Sequence, residues 1–201
     1  MIIVLTGGIG SGKSTAAGII SDTFGYPVYQ ADSAVKRLYL TDKDLLADIE
    51  SDAGLLFRNE DGFFSPSKMA EYVFSIPGAI EKVEQRVFPV LVKDFERWQS
   101  ECGSNVVIFE SATILEKPYF NGFGDALIIV DAPVEDRISR AISRDNASRD
   151  SILARVERQK LMNDISDGIN VPEDAYICRN DGSLSQLSSR LKEIIEIIIN
   201  K

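Results

Sequence analysis

A β-branched run, Ile2–Thr6, leads without a break into GGIGSGKST, residues 7–15. Gly7, Gly8, Gly10 and Gly12 supply four glycines in six positions, and Lys13, Ser14 and Thr15 follow. Residues 7–14 match G-x-x-x-x-G-K-[ST] without a mismatch, between a predicted strand and a predicted helix. Without Cβ atoms in the way, the N–H groups of Gly8, Ile9, Gly10, Ser11 and Gly12 can turn inward around a phosphate. The helix starting at Lys13 adds its positive dipole end. Lys13 can reach β- and γ-phosphates, Ser14 can ligate Mg²⁺ and Thr15 can add an α-phosphate contact. The rival glycine loop of dinucleotide binding, G-x-G-x-x-G/A, fails in both registers, because its last position falls on Lys13 or on Thr15. The chain therefore holds the tail of a nucleoside triphosphate.

Strand and helix patterns alternate along the rest of the chain. A helix is expected over Lys13–Phe24, stopped by Gly25 and Pro27, and a short strand at Val28–Gln30. Helices are expected over 33–40, over 42–49 with Thr41 as N-cap, after Ser65-Pro66, and over 80–98 with a kink or break near Pro89. Strands recur at 106–109, 126–130 and 176–178, with helices over 134–144 and 148–161. Ser183 caps a final helix whose Leu184, Leu187, Leu191, Ile194, Ile195 and Ile198 recur at helical spacing. Such alternation predicts an α/β fold with a parallel sheet covered on both faces. The stretch 33–100 is too long for one crossover and reads as an inserted helical subdomain.

Composition narrows the chemistry. The 201 residues contain no histidine, which excludes histidine bases, histidine metal ligands and serine–histidine triads. Cys102 and Cys178 form no metal spacing or disulfide framework. A net charge of −9 argues against a nucleic-acid partner, yet residues 136–160 carry seven cations against four acids. That segment suits local capture of a polyanion. No apolar run is long enough for a bilayer and no signal peptide precedes the loop, so a cytoplasmic location without membrane partners is expected. The guanine-reading Asn-Lys-x-Asp of GTPase switches is missing. An acid after the second strand, a helical insert and a late arginine-rich segment together suit a kinase whose lid keeps water from the transferred phosphoryl group.

An ordered set of segments makes the chain resemble the dephospho-coenzyme A kinases: TGGIGSGKST (6–15), FGYPVYQAD (24–32), VF (73–74), EQRVFP (84–89), FESATILE (109–116), RISRAISR (137–144), ARVERQ (154–159) and AYICRNDG (175–182). The resemblance implies a P-loop kinase fold with a five-stranded parallel sheet flanked by helices. It implies ATP-dependent phosphorylation of the ribose 3′-hydroxyl of dephospho-coenzyme A, with Mg²⁺ accompanying ATP. The nucleotide core then spans 1–32, 101–135 and 172–201, the acceptor-binding insert 33–100 and the lid 136–171; oligomeric state stays open.

By the same resemblance Lys13, Asp32 and Arg140 are catalytic, with Asp32 accepting the proton of the attacking hydroxyl. An aspartate before a helix is also an ordinary N-cap. Arg144 and Asn180 join the loop in holding ATP, Ser14 and Glu110 serve the metal, and Phe88, Arg155 and Gln159 join Asp32 on the acceptor side. Glu116 matches a family glutamate. Gln30, Pro66 and Phe88 replace a family acid, arginine and histidine. The runner-up is another small-molecule or nucleoside monophosphate kinase, and the rival outside that class is a nucleotide-dependent regulatory protein.

Overall fold

The computed structural model describes residues 1–201. The chain runs β1 (Ile2–Thr6), α1 (Lys13–Phe24), β2 (Val28–Gln30), α2 (Ala31–Thr41), α3 (Lys43–Ala53), α4 (Pro66–Ser75) and α5 (Ala79–Cys102). It continues with β3 (Val107–Glu110), β4 (Ala126–Asp131), α6 (Val134–Asp145), α7 (Arg149–Arg158), α8 (Lys160–Ser166), β5 (Ala175–Arg179) and α9 (Leu184–Ile199), with two short 3₁₀ turns between β3 and β4. Two compact units result: Met1–Gln30 with Ser104–Lys201, and Ala31–Gly103.

In the first unit all five strands are parallel, in the order β2-β3-β1-β4-β5. Side chains alternate across a strand, so one face carries Ile3, Leu5, Ile108, Ile128, Val130 and Cys178. These pack on Ala16, Ala17 and Ile20 of α1 and on Leu187, Leu191, Ile195 and Ile198 of α9. The opposite face puts Ile129 against Met162 and Ile165 of α8, with Leu127 and Ile177 alongside. Ser183 and Gln186 close a reciprocal capping box on α9. Because β1 sits between β3 and β4, chain crossovers diverge at its carboxyl end, the place where open α/β sheets leave a crevice for ligands.

Burial also decides thiol reactivity. Cys178 lies fully buried under α9, which pushes its thiol up to about 11, whereas Cys102 is half-buried at the end of α5. A chromogenic disulfide reagent at about pH 8 is expected to titrate only Cys102 in the native protein, and Cys178 only after unfolding. Two rapidly reacting thiols would contradict this packing.

The second unit is helical. Val83, Val87, Leu91 and Phe95 form the buried stripe of α5. Glu50, buried on α3, accepts from the Phe57 N–H at 2.9 Å and from the Arg58 guanidinium at 2.8 Å. Buried Asp94 is held by Arg37 and Arg97.

Three local expectations are corrected. α5 continues through Pro89, so the break that the proline allowed does not occur. Proline in a helix interior costs roughly 3 kcal/mol, and the burial of Val83, Val87, Leu91 and Phe95 along α5 outweighs it. Asp42, not Thr41, caps α3, accepting from the Leu45 N–H at 2.9 Å, while the Thr41 hydroxyl bonds back to the Arg37 carbonyl inside α2. The helix expected over 148–161 is broken at Gln159, which ends α7 and precedes α8 with φ −87° and ψ 58°. There the Asn163 side chain takes the Val156 carbonyl at 2.9 Å, a bond that competes with continued helix.

Candidate functional site

The phosphate loop turns from β1 into α1. Gly12 precedes the helix at φ 96° and makes no side-chain cap, so α1 opens with its N–H groups uncapped by that residue. Gly12 has a second reason to lack a side chain: a Cβ there would run into the amide nitrogen of Asn180. Ser11 closes a turn, its N–H donating to the Gly8 carbonyl at 3.0 Å. The Ser11 hydroxyl is buried without a hydrogen-bond partner.

Lys13 and Ser14, the first two residues of α1, both reach Glu110 at the carboxyl end of β3. The Lys13 Nζ is 2.5 Å from Glu110 Oε1, and the Ser14 hydroxyl donates to the same oxygen at 2.9 Å. Glu110 is held in register opposite Leu5 of β1 and Gln30 of β2. Lys13 and Glu110 are mostly withdrawn from water, which strengthens their mutual attraction and the pull of Lys13 on phosphate, while Ser14 is exposed. No cluster of three or more histidine, cysteine or acidic side chains forms a metal cage. A hydroxyl and a carboxylate side by side are, however, the hard oxygen donors that Mg²⁺ uses when substrate phosphates and water complete its shell.

A second cluster gathers at the ends of β4 and β5. Asn180 is buried there. Its N–H donates to the Asp131 carbonyl at 2.7 Å and its amide to the Ser11 carbonyl at 2.8 Å, while its carbonyl accepts from Arg140 at 3.1 Å. The other terminal nitrogen of Arg140 is buried and unpaired. Buried Asp131 is fastened by the Ser166 hydroxyl at 2.5 Å and by Arg179.

The remaining arginines named from sequence are more exposed. Arg144 pairs with Asp145 in two-pronged fashion at 2.7 and 3.0 Å, and Arg155 reaches the same carboxylate at 2.6 Å. These guanidinium groups hold the Asp145 carboxyl well below the usual carboxylate range, with Arg144 the larger cause. In return, that hydrogen bond raises the Arg144 guanidinium. Glu116, in the first 3₁₀ turn, is raised by burial.

Within this unit, then, Lys13, Ser14 and Glu110 come together at one side of the loop. Asn180 and Arg140 meet at Ser11. Gln159 goes to the loop itself, accepting from the Ile9 N–H at 2.8 Å. In the helical unit, Asp32 stands in the first turn of α2, which begins at Ala31, so it is not the residue preceding the helix that an N-cap would be. Phe88 is half-buried on α5.

Arg137 escaped the sequence reading. It is 1% exposed and donates through Nε to the Ile9 carbonyl at 3.2 Å. The available signal was its place on α6 four residues before Ala141 and next to Ile138, which puts it on the helix's apolar face.

The family model described as dephospho-CoA kinase matches residues 1–185. The chain is 38% identical over 160 residues to the dephospho-CoA kinase of Porphyromonas gingivalis, covering 79% of this chain and 77% of that one. It is 28% identical over 201 residues to that of Leptospira interrogans, covering 100% and 94%. Among solved structures, TT1252 from Thermus thermophilus superposes with a TM-score of 0.79 at 28% identity, covering 98% of this chain and 97% of that one. The dephospho-CoA kinase from Campylobacter jejuni, at 22% identity and a TM-score of 0.63 over 98% and 96%, shares the fold.

Proposed function

The chain belongs to the dephospho-CoA kinase family, whose members phosphorylate dephospho-CoA to coenzyme A in the final step of its biosynthesis, and on that premise we propose how its own residues divide the reaction. The loop N–H groups between Gly8 and Thr15 bind the phosphate tail of ATP, except those of Ile9 and Ser11, which are committed to Gln159 and to the Gly8 carbonyl. Lys13 turns from Glu110 towards the β- and γ-phosphates and follows the negative charge as it spreads in a loose transition state. Ser14 and Glu110 hold Mg²⁺, directly or through water. When bound with ATP, that ion offsets phosphate charge and fixes the geometry of the tail.

Asp32 accepts a hydrogen bond from the ribose 3′-hydroxyl of dephospho-CoA and takes its proton as the oxygen attacks the γ-phosphorus. Arg140 adds cationic stabilisation near the loop, and Arg144 adds to ATP binding once its pairing with Asp145 is exchanged for phosphate. Asn180 supports the nucleotide at the end of β5, while Phe88 and Arg155 lie on the acceptor's side. ATP as donor and the cytoplasm as the place of reaction are part of the same reading.

The observation that carries it is the convergence of Lys13 and Ser14 on one oxygen of Glu110, at the start of α1. The test is an acceptor screen with ATP and Mg²⁺. Dephospho-CoA is expected to stimulate ADP release, and AMP, adenosine, CMP and shikimate are not. Faster turnover of AMP or CMP would assign the site to a nucleoside monophosphate kinase. Saturable ATP binding with no acceptor-stimulated turnover would make the chain a nucleotide-dependent regulator.

A further inference from the structure

Ile9 is gripped from three directions by the segment that follows β4. Its N–H donates to Gln159 Oε1 at 2.8 Å. Its carbonyl accepts from Arg137 Nε at 3.2 Å. Its side chain packs on the cluster formed by Ile138 and Ala141 of α6 with Ile152 and Val156 of α7. The two polar partners are themselves braced. Arg137 Nη1 donates to Asn163 Oδ1 at 3.3 Å, and Asn163 in turn donates to the Val156 carbonyl at 2.9 Å. Gln159 occupies the break between α7 and α8, where its own N–H closes on Val156 at 3.0 Å.

Arg137 also packs closely against two glycines. A Cβ on Gly8 would collide with the Arg137 guanidinium, and one on Gly10 would collide with the Arg137 backbone. Gly10 needs glycine for its φ of 73° in any case, but Gly8 has no left-handed backbone to explain it. What it leaves room for is the Arg137 guanidinium. Arg137 Nη2 is buried with no hydrogen-bond partner, and burial lowers the guanidinium's pKa. Keeping such a charge out of water without a bonded carboxylate costs several kcal/mol of desolvation. A surface helix has no use for such an arrangement; a loop whose peptides must be oriented towards an anion does.

Electrostatics supplies the reason. A phosphate-binding loop works only if its N–H groups face the anion and its carbonyls face away, since a carbonyl turned inward repels phosphate. The peptide groups on both sides of Ile9 are where that choice is made. Arg137 holds the Ile9 carbonyl, and Gln159 takes the Ile9 N–H out of the set open to phosphate, so neither peptide can flip and the loop's uncommitted N–H groups are left to face the anion.

We propose that Arg137 and Gln159 are positioning residues for the nucleotide: by clamping Ile9 they hold the phosphate loop in its anion-accepting form, so that Gln159 acts on ATP and not on the acceptor. The inference rests on the kinase reading above, and turnover of the parent enzyme in the same assay tests that reading separately.

The experiment measures the Kd of ATP·Mg²⁺ by calorimetry, and kcat and both KM values, for Arg137→Met, Gln159→Leu and the double variant. Gln159 is only half-buried, so its variant stays measurable should Arg137→Met fail to fold. Each single substitution is expected to raise the Kd and KM for ATP about tenfold, equivalent to ~1.4 kcal/mol, and to leave the KM for dephospho-CoA within about twofold. Because both residues act through Ile9, the double variant is expected to lose clearly less than the product of the two single losses. A raised KM for dephospho-CoA with unchanged ATP binding in Gln159→Leu would overturn the proposal and return Gln159 to the acceptor. Unchanged ATP binding in the singles, or fully multiplicative losses in the double, would overturn it as well.

Discussion

Replacing Lys13 with alanine is expected to lower kcat/KM by about 10²–10³-fold, or ~3–4 kcal/mol, the size of effect found when one preorganised electrostatic donor is removed from a reacting centre. The same substitution is expected to lower stability. Glu110 is 5% exposed and its Oε1 carries both the Lys13 ammonium and the Ser14 hydroxyl. Removing the cation leaves a buried carboxylate with a neutral partner, and breaking a buried pair from one side costs about 3 kcal/mol or more. The two losses have different causes and separate in the double variant Lys13→Ala/Glu110→Gln. Neutralising Glu110 removes the uncompensated charge, so the midpoint of denaturant unfolding is expected to recover while phosphoryl transfer stays lost. An active Lys13→Ala enzyme would remove the lysine from the reaction. A double variant no more stable than the single would show that Glu110 is not the source of the instability.

Asp32→Asn is expected to cut kcat by about 10²–10³-fold with the Kd for ATP·Mg²⁺ within about twofold, because an amide can still accept a hydrogen bond from the hydroxyl but cannot take its proton. Stability is expected to move little. Asp32 is exposed in the first turn of α2, where a carboxylate's interaction with the helix dipole is worth ~0.3–1 kcal/mol. A kcat that does not change would remove Asp32 from the chemical step. Single-turnover measurement at saturating ATP separates the chemical step from product release, so a slow release step cannot hide the effect.

Local rules carried the reading wherever neighbours in sequence decide the structure. Ile2–Thr6 is a strand and Lys13 opens α1, because a β-branched run followed by glycines leaves the backbone few other choices. Ser183 caps α9 and Ser65 caps α4 through bonds to N–H groups three residues on. The parallel sheet follows from strands separated by helices. Local rules misjudged positions at which two of them compete. Thr41 and Asp42 both offer a cap, and the carboxylate at Asp42 took it. Pro89 is a local breaker inside a stripe that tertiary burial keeps helical. Gln159 lies in a helical pattern that is interrupted by the Asn163 side chain.

The composition of the loop, its place between a strand and a helix, and the acid at the end of β3 are properties of the sequence alone, since each depends on the identity of a few adjacent residues. What holds the loop in shape is a matter of tertiary structure. Asn180 meets Ser11 across 169 residues, Gln159 meets Ile9 across 150 and Arg137 meets Ile9 across 128. No periodicity records such bonds. They form because the strand order sets β4 beside β1 and β5 beside β4, and because a backbone N–H or carbonyl withdrawn from water must find a partner wherever the fold supplies one.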